Sequence, residues 1–180
     1  MTTQEDQAVD EASHSLPEPV EGKPRPIFLY GTLCAMPLLA VVLTGSSLNT
    51  DAVAPLTQPA RVHGHARFSV RDRDYPAAIA HEPESSIDGV LFTPETVEQR
   101  ERVEGYISGS FTRSPVMVTL LDGNGNPRDE TVDADISLWT GDRDQVLDSS
   151  WDLPTFVLNN LWAYIDIFEG EYQDMGCGNS

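Results

Sequence analysis

Two short stretches carry residue types from which chemistry could be built. The first is Phe28-Leu29-Tyr30-Gly31-Thr32-Leu33, an apolar run that enters a glycine turn. A strand that stops at Tyr-Gly-Thr leaves successive backbone N–H groups without ladder partners, and such a turn can hold an anion or a developing oxyanion. The same letters also suit a plain turn in which Gly31 serves only the backbone. The second is Glu104, which stands before Gly105 at the end of a polar helical run. A carboxylate at a helix C-terminus meets the negative end of the helix dipole, and in an apolar setting it can serve as a general base. The plain alternative makes Glu104 one more acid beside Glu98 and Glu101. A competing Glu-Gly pair occurs in Ile167-Phe168-Glu169-Gly170, but it follows the last helix with no strand behind it. Glu104 is therefore preferred to Glu169.

The other candidates are weaker. His63 and His65 would share one face of a strand, yet no third ligand stands at a recognisable spacing, so no metal site is expected. The Asp122-Gly123-Asn124-Gly125-Asn126-Pro127 segment lacks the acidic alternation and terminal Glu of a calcium loop and reads as a hairpin turn. No phosphate-binding or dinucleotide-binding glycine motif is present, so no cofactor is expected. Tyr75-Pro76 gives an irregular strand start, because proline removes a ladder donor and holds its predecessor extended, and such a place suits a pocket rim.

These residues need elements to hold them. Pro37 to Thr44 reads as a short helix with Pro at its first position and Gly45 just past its end, its N–H groups directed back at the Tyr30–Leu33 turn. Residues 46–59 read as a loop, 60–70 as one half-buried strand, and 87–92 as another, with Gly89 suited to a close backbone approach. A helix is expected to start at Thr93-Pro94-Glu95 and to close at Gly105. Residues 116–121 and 131–139 form a hairpin. Pro154 to Phe168 reads as one helix, with Leu158, Leu161, Trp162 and Ile165 expected on its buried face. Many short strands without βαβ spacing predict a mixed α/β fold, a small barrel-like sheet of five to seven strands flanked by short helices.

Composition bounds the rest. At 180 residues one filled core is the natural count, and 39% hydrophobic residues leaves part of the chain outside it. Residues 1–23 are acidic and nearly devoid of large apolar groups, the composition of a flexible tail. Residues 24–175 are expected to form the domain and 176–180 a frayed end. The chain opens acidic and has no apolar signal segment, and Cys34 and Cys177 make no disulfide framework, so a cytoplasmic protein is expected. A net charge of −18, from 11 basic and 29 acidic residues, argues against nucleic-acid and membrane partners.

The order Tyr30-Gly31-Thr32-Leu33, Asp74-Tyr75-Pro76, Asp88-Gly89-Val90-Leu91-Phe92, Val103-Glu104-Gly105 and Phe111-Thr112-Arg113 resembles the gamma-glutamylcyclotransferase-like, avirulence-induced-gene-like family, over about residues 26–120. The chain looks like a fungal-type member. The resemblance implies a cofactor-independent enzyme in which the free α-amine of a γ-glutamyl group attacks its own side-chain amide and releases 5-oxoproline and an amine, with glutathione-derived conjugates as candidate substrates. It implies Glu104 as the acid/base, the Tyr30, Gly31, Thr32 and Leu33 turn for the glutamyl group or oxyanion, and Tyr75, Pro76 and Phe111 at the substrate. Glu104 should then project into a pocket lined by that turn. Phe111 stands where the family usually has Tyr, and Val103 where these members usually have Phe. The expected partner is a small γ-glutamyl compound, with the protein a monomer or homodimer. Two other readings stay open: a natural-product enzyme of the same fold catalysing another proton transfer or cyclisation, and a non-catalytic binding module.

Overall fold

A computed structural model describes residues 23–176. The acidic tail expected over residues 1–23 lies, apart from Lys23, outside the described residues, as do residues 177–180 of the expected frayed end. Five strands close a barrel in the order β1-β5-β2-β6-β7: β1 Ile27–Leu29, β5 Ser86–Phe92, β2 Thr57–His63, β6 Phe111–Leu121 and β7 Pro127–Trp139. A second sheet joins β4 Pro76–Ala80, β3 His65–Val70 and β8 Val146–Ser150. Five helices flank them: α1 Met36–Thr44, α2 Thr50–Val53, α3 Val97–Tyr106, α4 Leu153–Asn159 and α5 Leu161–Gly176. The fold is the mixed α/β barrel that the strand pattern predicts.

The unbroken apolar run at 27–30 follows from burial on both faces of β1. Phe28 and Tyr30 face the barrel interior with Val62, Leu91, Val118 and Ile136, whereas Ile27 and Leu29 face a second core with α1, Val103, Phe156 and Ile165. Alternation along a strand sends neighbours to opposite faces, so a strand between two cores must be apolar throughout. β1 pairs antiparallel with β5 (Phe28 opposite Leu91) and parallel with β7 (Phe28 opposite Ile136), which closes the barrel.

Several boundaries differ from the sequence reading. The strand expected over 60–70 is two strands in two sheets, because the chain breaks at Gly64 (φ 77°), so His63 and His65 share no strand face. The loop expected over 46–59 contains α2 and a 3₁₀ turn at Ala54–Leu56, and β2 already starts at Thr57. α3 is capped by Thr96, not Thr93: the Thr96 hydroxyl accepts from Gln99 N–H at 3.1 Å while the Gln99 side chain accepts from Glu95 N–H at 2.7 Å. It also runs through Gly105 to Tyr106, so Gly105 lies inside the last turn. The C-terminal helix is two helices, broken at Asn160 and extending to Gly176, and its buried positions are Phe156, Leu161 and Ile165. Leu158 and Trp162 are 83% and 64% exposed, since the break rotates them away from the core.

Gly89 faces β1 so closely that a Cβ would overlap the Leu29 carbonyl oxygen and meet the Phe28 ring at 3.1 Å. Gly89→Ala must push β1 off β5, and urea unfolding should show a loss of about 3 kcal/mol. Gly123→Ala, where a Cβ meets nothing within 4 Å, should stay close to wild type.

Candidate active site

β1 releases the chain at Tyr30 into a 3₁₀ turn, Thr32–Cys34, whose bonds run from Cys34 N–H to Gly31 C=O (3.0 Å) and from Ala35 N–H to Thr32 C=O (3.1 Å). The N–H groups of Gly31, Thr32 and Leu33 are those that such a start leaves unpaired, and no described residue accepts from them. The turn is held from several sides. Tyr30 OH donates to Ser137 C=O at 2.5 Å, Arg67 of β3 donates to Tyr30 C=O at 2.7 Å, and the Cys34 thiol donates to Leu29 C=O at 3.2 Å. Pro76 packs against Gly31, where a Cβ would approach its Cδ to 3.1 Å. The Arg67 guanidinium also lies over the Trp151 ring, 5.4 Å from its centroid, and burial holds its pKa below that of a free guanidinium.

A cavity of about 430 Å³ opens beside this turn. Its walls are Phe28 to Leu33, Tyr75 and Pro76 at the start of β4, Tyr106 to Ser108 at the end of α3, Phe111 and Ser137 on β6 and β7, and Tyr164, Ile167 and Phe168 on α5. All seven residues expected at the substrate thus line one space. Tyr106, Ser108, Ser137, Tyr164 and Phe168 join them without a signal in the sequence that singles them out. Tyr106 stands in the Glu-Gly-Tyr run, but its partner is remote: its hydroxyl meets Thr32 Oγ1 at 2.6 Å and ties the end of α3 to the turn. Tyr164 and Phe168 sit one helical turn apart on α5, a spacing shared with many core helices. Burial pushes the Tyr30 and Tyr106 phenols well above the ordinary tyrosine range and the Tyr164 phenol up to about 12. All three are therefore neutral hydroxyls at physiological pH. Phe111 packs edge-on against Tyr75 and Trp139, with centroids 6.1 and 5.4 Å apart.

Glu104 does not line this cavity. It lines a smaller one of about 160 Å³ with Arg100, Arg113, Asp135 and Ile27, and the two spaces share Ile107, Ser108, Phe111 and Ser137 as a common wall. The expectation that Glu104 projects into the pocket of the Tyr30–Leu33 turn is corrected by this arrangement. The carboxylate is 35% exposed and is drawn aside by Arg113 of β6 and by Arg100, one turn earlier on α3 at 3.3 Å. Arg100 is itself fixed, bonding Asp135 Oδ2 at 2.7 Å and the Arg25 carbonyl. Arg25 pairs with the other Asp135 oxygen at 3.1 Å. Glu169 serves the fold, its carboxylate accepting from Ser47 N–H at 2.8 Å. Among the described residues no group of three or more His, Cys, Asp or Glu is placed to hold a metal.

Arg100 and Asp135 are each only 7% exposed, and Arg25 holds the other Asp135 oxygen, so removing Arg100 leaves one buried carboxylate oxygen without its closest partner while part of the charge stays compensated. Arg100→Met should lower the unfolding free energy by about 1.5–3 kcal/mol in urea titrations, the cost of one lost hydrogen bond to a charged group that keeps its second partner. Burial also pushes the Cys34 thiol up to about 12 from 9.0, in keeping with its inward turn onto Leu29. In the native protein at pH 8 the Cys34 peptide should stay unalkylated by iodoacetamide under conditions that label it in urea. Because the unfolded thiol ionises first, its contribution to stability is present below pH 9.0 and is lost as pH rises toward about 12.

The fold has relatives. Two Arabidopsis thaliana proteins solved in solution are similar to it. One has 18% identity and a TM-score of 0.56, with 90% of this chain and 92% of that one covered. The other has 16% identity and a TM-score of 0.54, with 90% and 97% covered. At these identities the likeness is one of fold. A comparison with curated proteins found no significant match. The family model of the gamma-glutamyl cyclotransferases, AIG2-like, matches residues 27–153, which include both cavities' strands, the Tyr30–Leu33 turn and Glu104, and the chain belongs to that family.

Proposed function

We propose that the protein is a γ-glutamyl cyclotransferase whose substrate lies across the wall shared by the two cavities. The observation that carries this reading is the adjacency of a turn with three N–H groups that meet no acceptor among the described residues, a cavity with no charged side chain among its described walls, and a second cavity where Glu104 stands beside Arg113. A γ-glutamyl group has a charged head, its α-carboxylate and α-amine, and a neutral γ-amide. The head fits the smaller cavity, where Arg113 is a partner for the carboxylate and Glu104 for the amine. The γ-amide then lies at the edge formed by Ser108, Phe111 and Ser137, with the N–H groups of Gly31, Thr32 and Leu33 available to the oxygen.

In that pose the neutral α-amine attacks the carbonyl carbon of the γ-amide and forms the C–N bond that closes the five-membered ring. Glu104 takes one proton from the attacking nitrogen and returns it to the leaving nitrogen as the amide C–N bond breaks. The products are 5-oxoproline and a free amine, and no water is consumed. Ring closure within one molecule gains from having its reacting groups already tethered. Tyr75 and Pro76 form the far rim, and Phe111 supplies a face without the hydroxyl that a Tyr would bring.

The test is release of 5-oxoproline from γ-glutamyl amides, followed by mass spectrometry. Glu104→Gln should lower turnover by about 10²–10⁴ with little change in KM. Glu169→Gln should keep its turnover, losing at most about 1 kcal/mol of stability as the hydrogen bond from Ser47 N–H to its side chain loses its charge. Full turnover by Glu104→Gln would remove the acid/base role. Binding of γ-glutamyl compounds without conversion by the wild type would leave a binding module.

A further inference from the structure

We infer that the amine released by this protein carries an aromatic or bulky apolar group and no carboxylate, and that glutathione, whose leaving portion ends in a carboxylate, is a poor substrate. This rests on the cyclotransferase reading and concerns the other end of the substrate. Once the glutamyl head occupies the smaller cavity, the adjoining space left for the leaving portion is the larger one. Among the described residues no Lys, Arg, His, Asp or Glu lines that space. Its hydroxyls are held neutral by burial, and the Tyr106 hydroxyl is already engaged with Thr32. Asp74 and Arg73, which do not line the cavity, act on the Tyr164 hydroxyl with opposite signs.

With the N–H groups of the Tyr30–Leu33 turn engaged by the amide oxygen, a carboxylate taken into such a space gives up water and gains no charged partner among the described residues, which is costly. An aromatic or alkyl group gains instead, with Tyr75, Tyr106, Phe111, Tyr164 and Phe168 presenting ring faces and edges around it. At about 430 Å³ the cavity is within the range of small-molecule pockets. The two ends of the substrate are thus sorted by charge: ionic groups beside Glu104 and Arg113, apolar groups beside the aromatic wall.

The experiment compares kcat/KM for γ-glutamyl-benzylamide, γ-glutamyl-alanine and glutathione, reading 5-oxoproline in each case. The benzylamide should exceed glutathione by roughly 10–100-fold, the gain expected from burying one aromatic side chain. Ile167 is 56% exposed at the cavity wall, so Ile167→Arg can be introduced without disturbing a core. It should shift the ratio toward glutathione by about threefold or more, through a rim charge meeting the glycyl carboxylate. Equal or better turnover of glutathione by the wild type overturns this inference and leaves the cyclotransferase reading intact. An unchanged ratio in Ile167→Arg also overturns it, since the leaving portion then lies elsewhere. If none of the three compounds yields 5-oxoproline, the cyclotransferase reading falls and this inference with it.

Discussion

The three residues of β1 are the constraint on which the rest of the molecule depends. Ile27, Phe28 and Leu29 pair with β5 on one side and β7 on the other, and so turn an open sheet into a closed barrel. Closure removes sheet edges and buries both faces of β1, one in the barrel interior and one beneath the helices. It also requires a glycine at position 89, because β5 approaches the Leu29 carbonyl too closely for any side chain. A strand this short must then release the chain inside the protein rather than at its surface. The buried 3₁₀ turn that follows is the result, and its residues line a cavity in which no described residue accepts from the N–H groups of Gly31, Thr32 and Leu33.

The charged side of the site follows a different logic. Asp135 lies on β7 directly opposite Ile27, at the edge of the closed barrel, and is compensated by Arg25 and Arg100. A buried pair of this kind adds little net stability, but its geometry is stiff because breaking it leaves an uncompensated charge. Arg100 therefore gives Glu104 a fixed neighbour one turn away, and Arg113 gives it a second across the cavity. The carboxylate is held between the two and keeps contact with solvent. Ser108, Phe111 and Ser137 divide this ionic space from the aromatic one, so a chain carrying a net charge of −18 presents a cavity with no formal charge on its described walls. Local pairing, not global charge, sets what each space can take.

Much of this was legible from local patterns. The apolar run into Tyr-Gly-Thr, the proline and glycine that bracket α1, Gly89 as a point of close approach and the turn residues at 122–126 each follow from backbone chemistry within a few positions. The substrate-side residues Tyr30 to Leu33, Tyr75, Pro76 and Phe111 do come together, since the order of motifs already implied one pocket.

What the sequence alone determined was thus the position of most strands, the barrel class and the turn, but neither the division of residues 57–70 between two strands nor β8. Tertiary structure decided where long-range partners put the side chains. The break at Gly64 sends β2 and β3 into different sheets, because each strand finds a different partner, β5 for one and β4 for the other. The break at Asn160 turns Leu158 and Trp162 outward, although their spacing matches a buried stripe, because Phe156, Leu161 and Ile165 pack on the core instead. Arg67 supports the Tyr30 carbonyl from 37 residues away, with no local signal to announce it. Glu104 lies beside the aromatic cavity and not within it, because Arg113, nine residues later, and the Arg100–Asp135 pair, spanning 35, draw its carboxylate to the other side of the wall. Periodicity reports which face of an element is buried, but only contacts between elements decide which of two adjoining spaces a side chain enters.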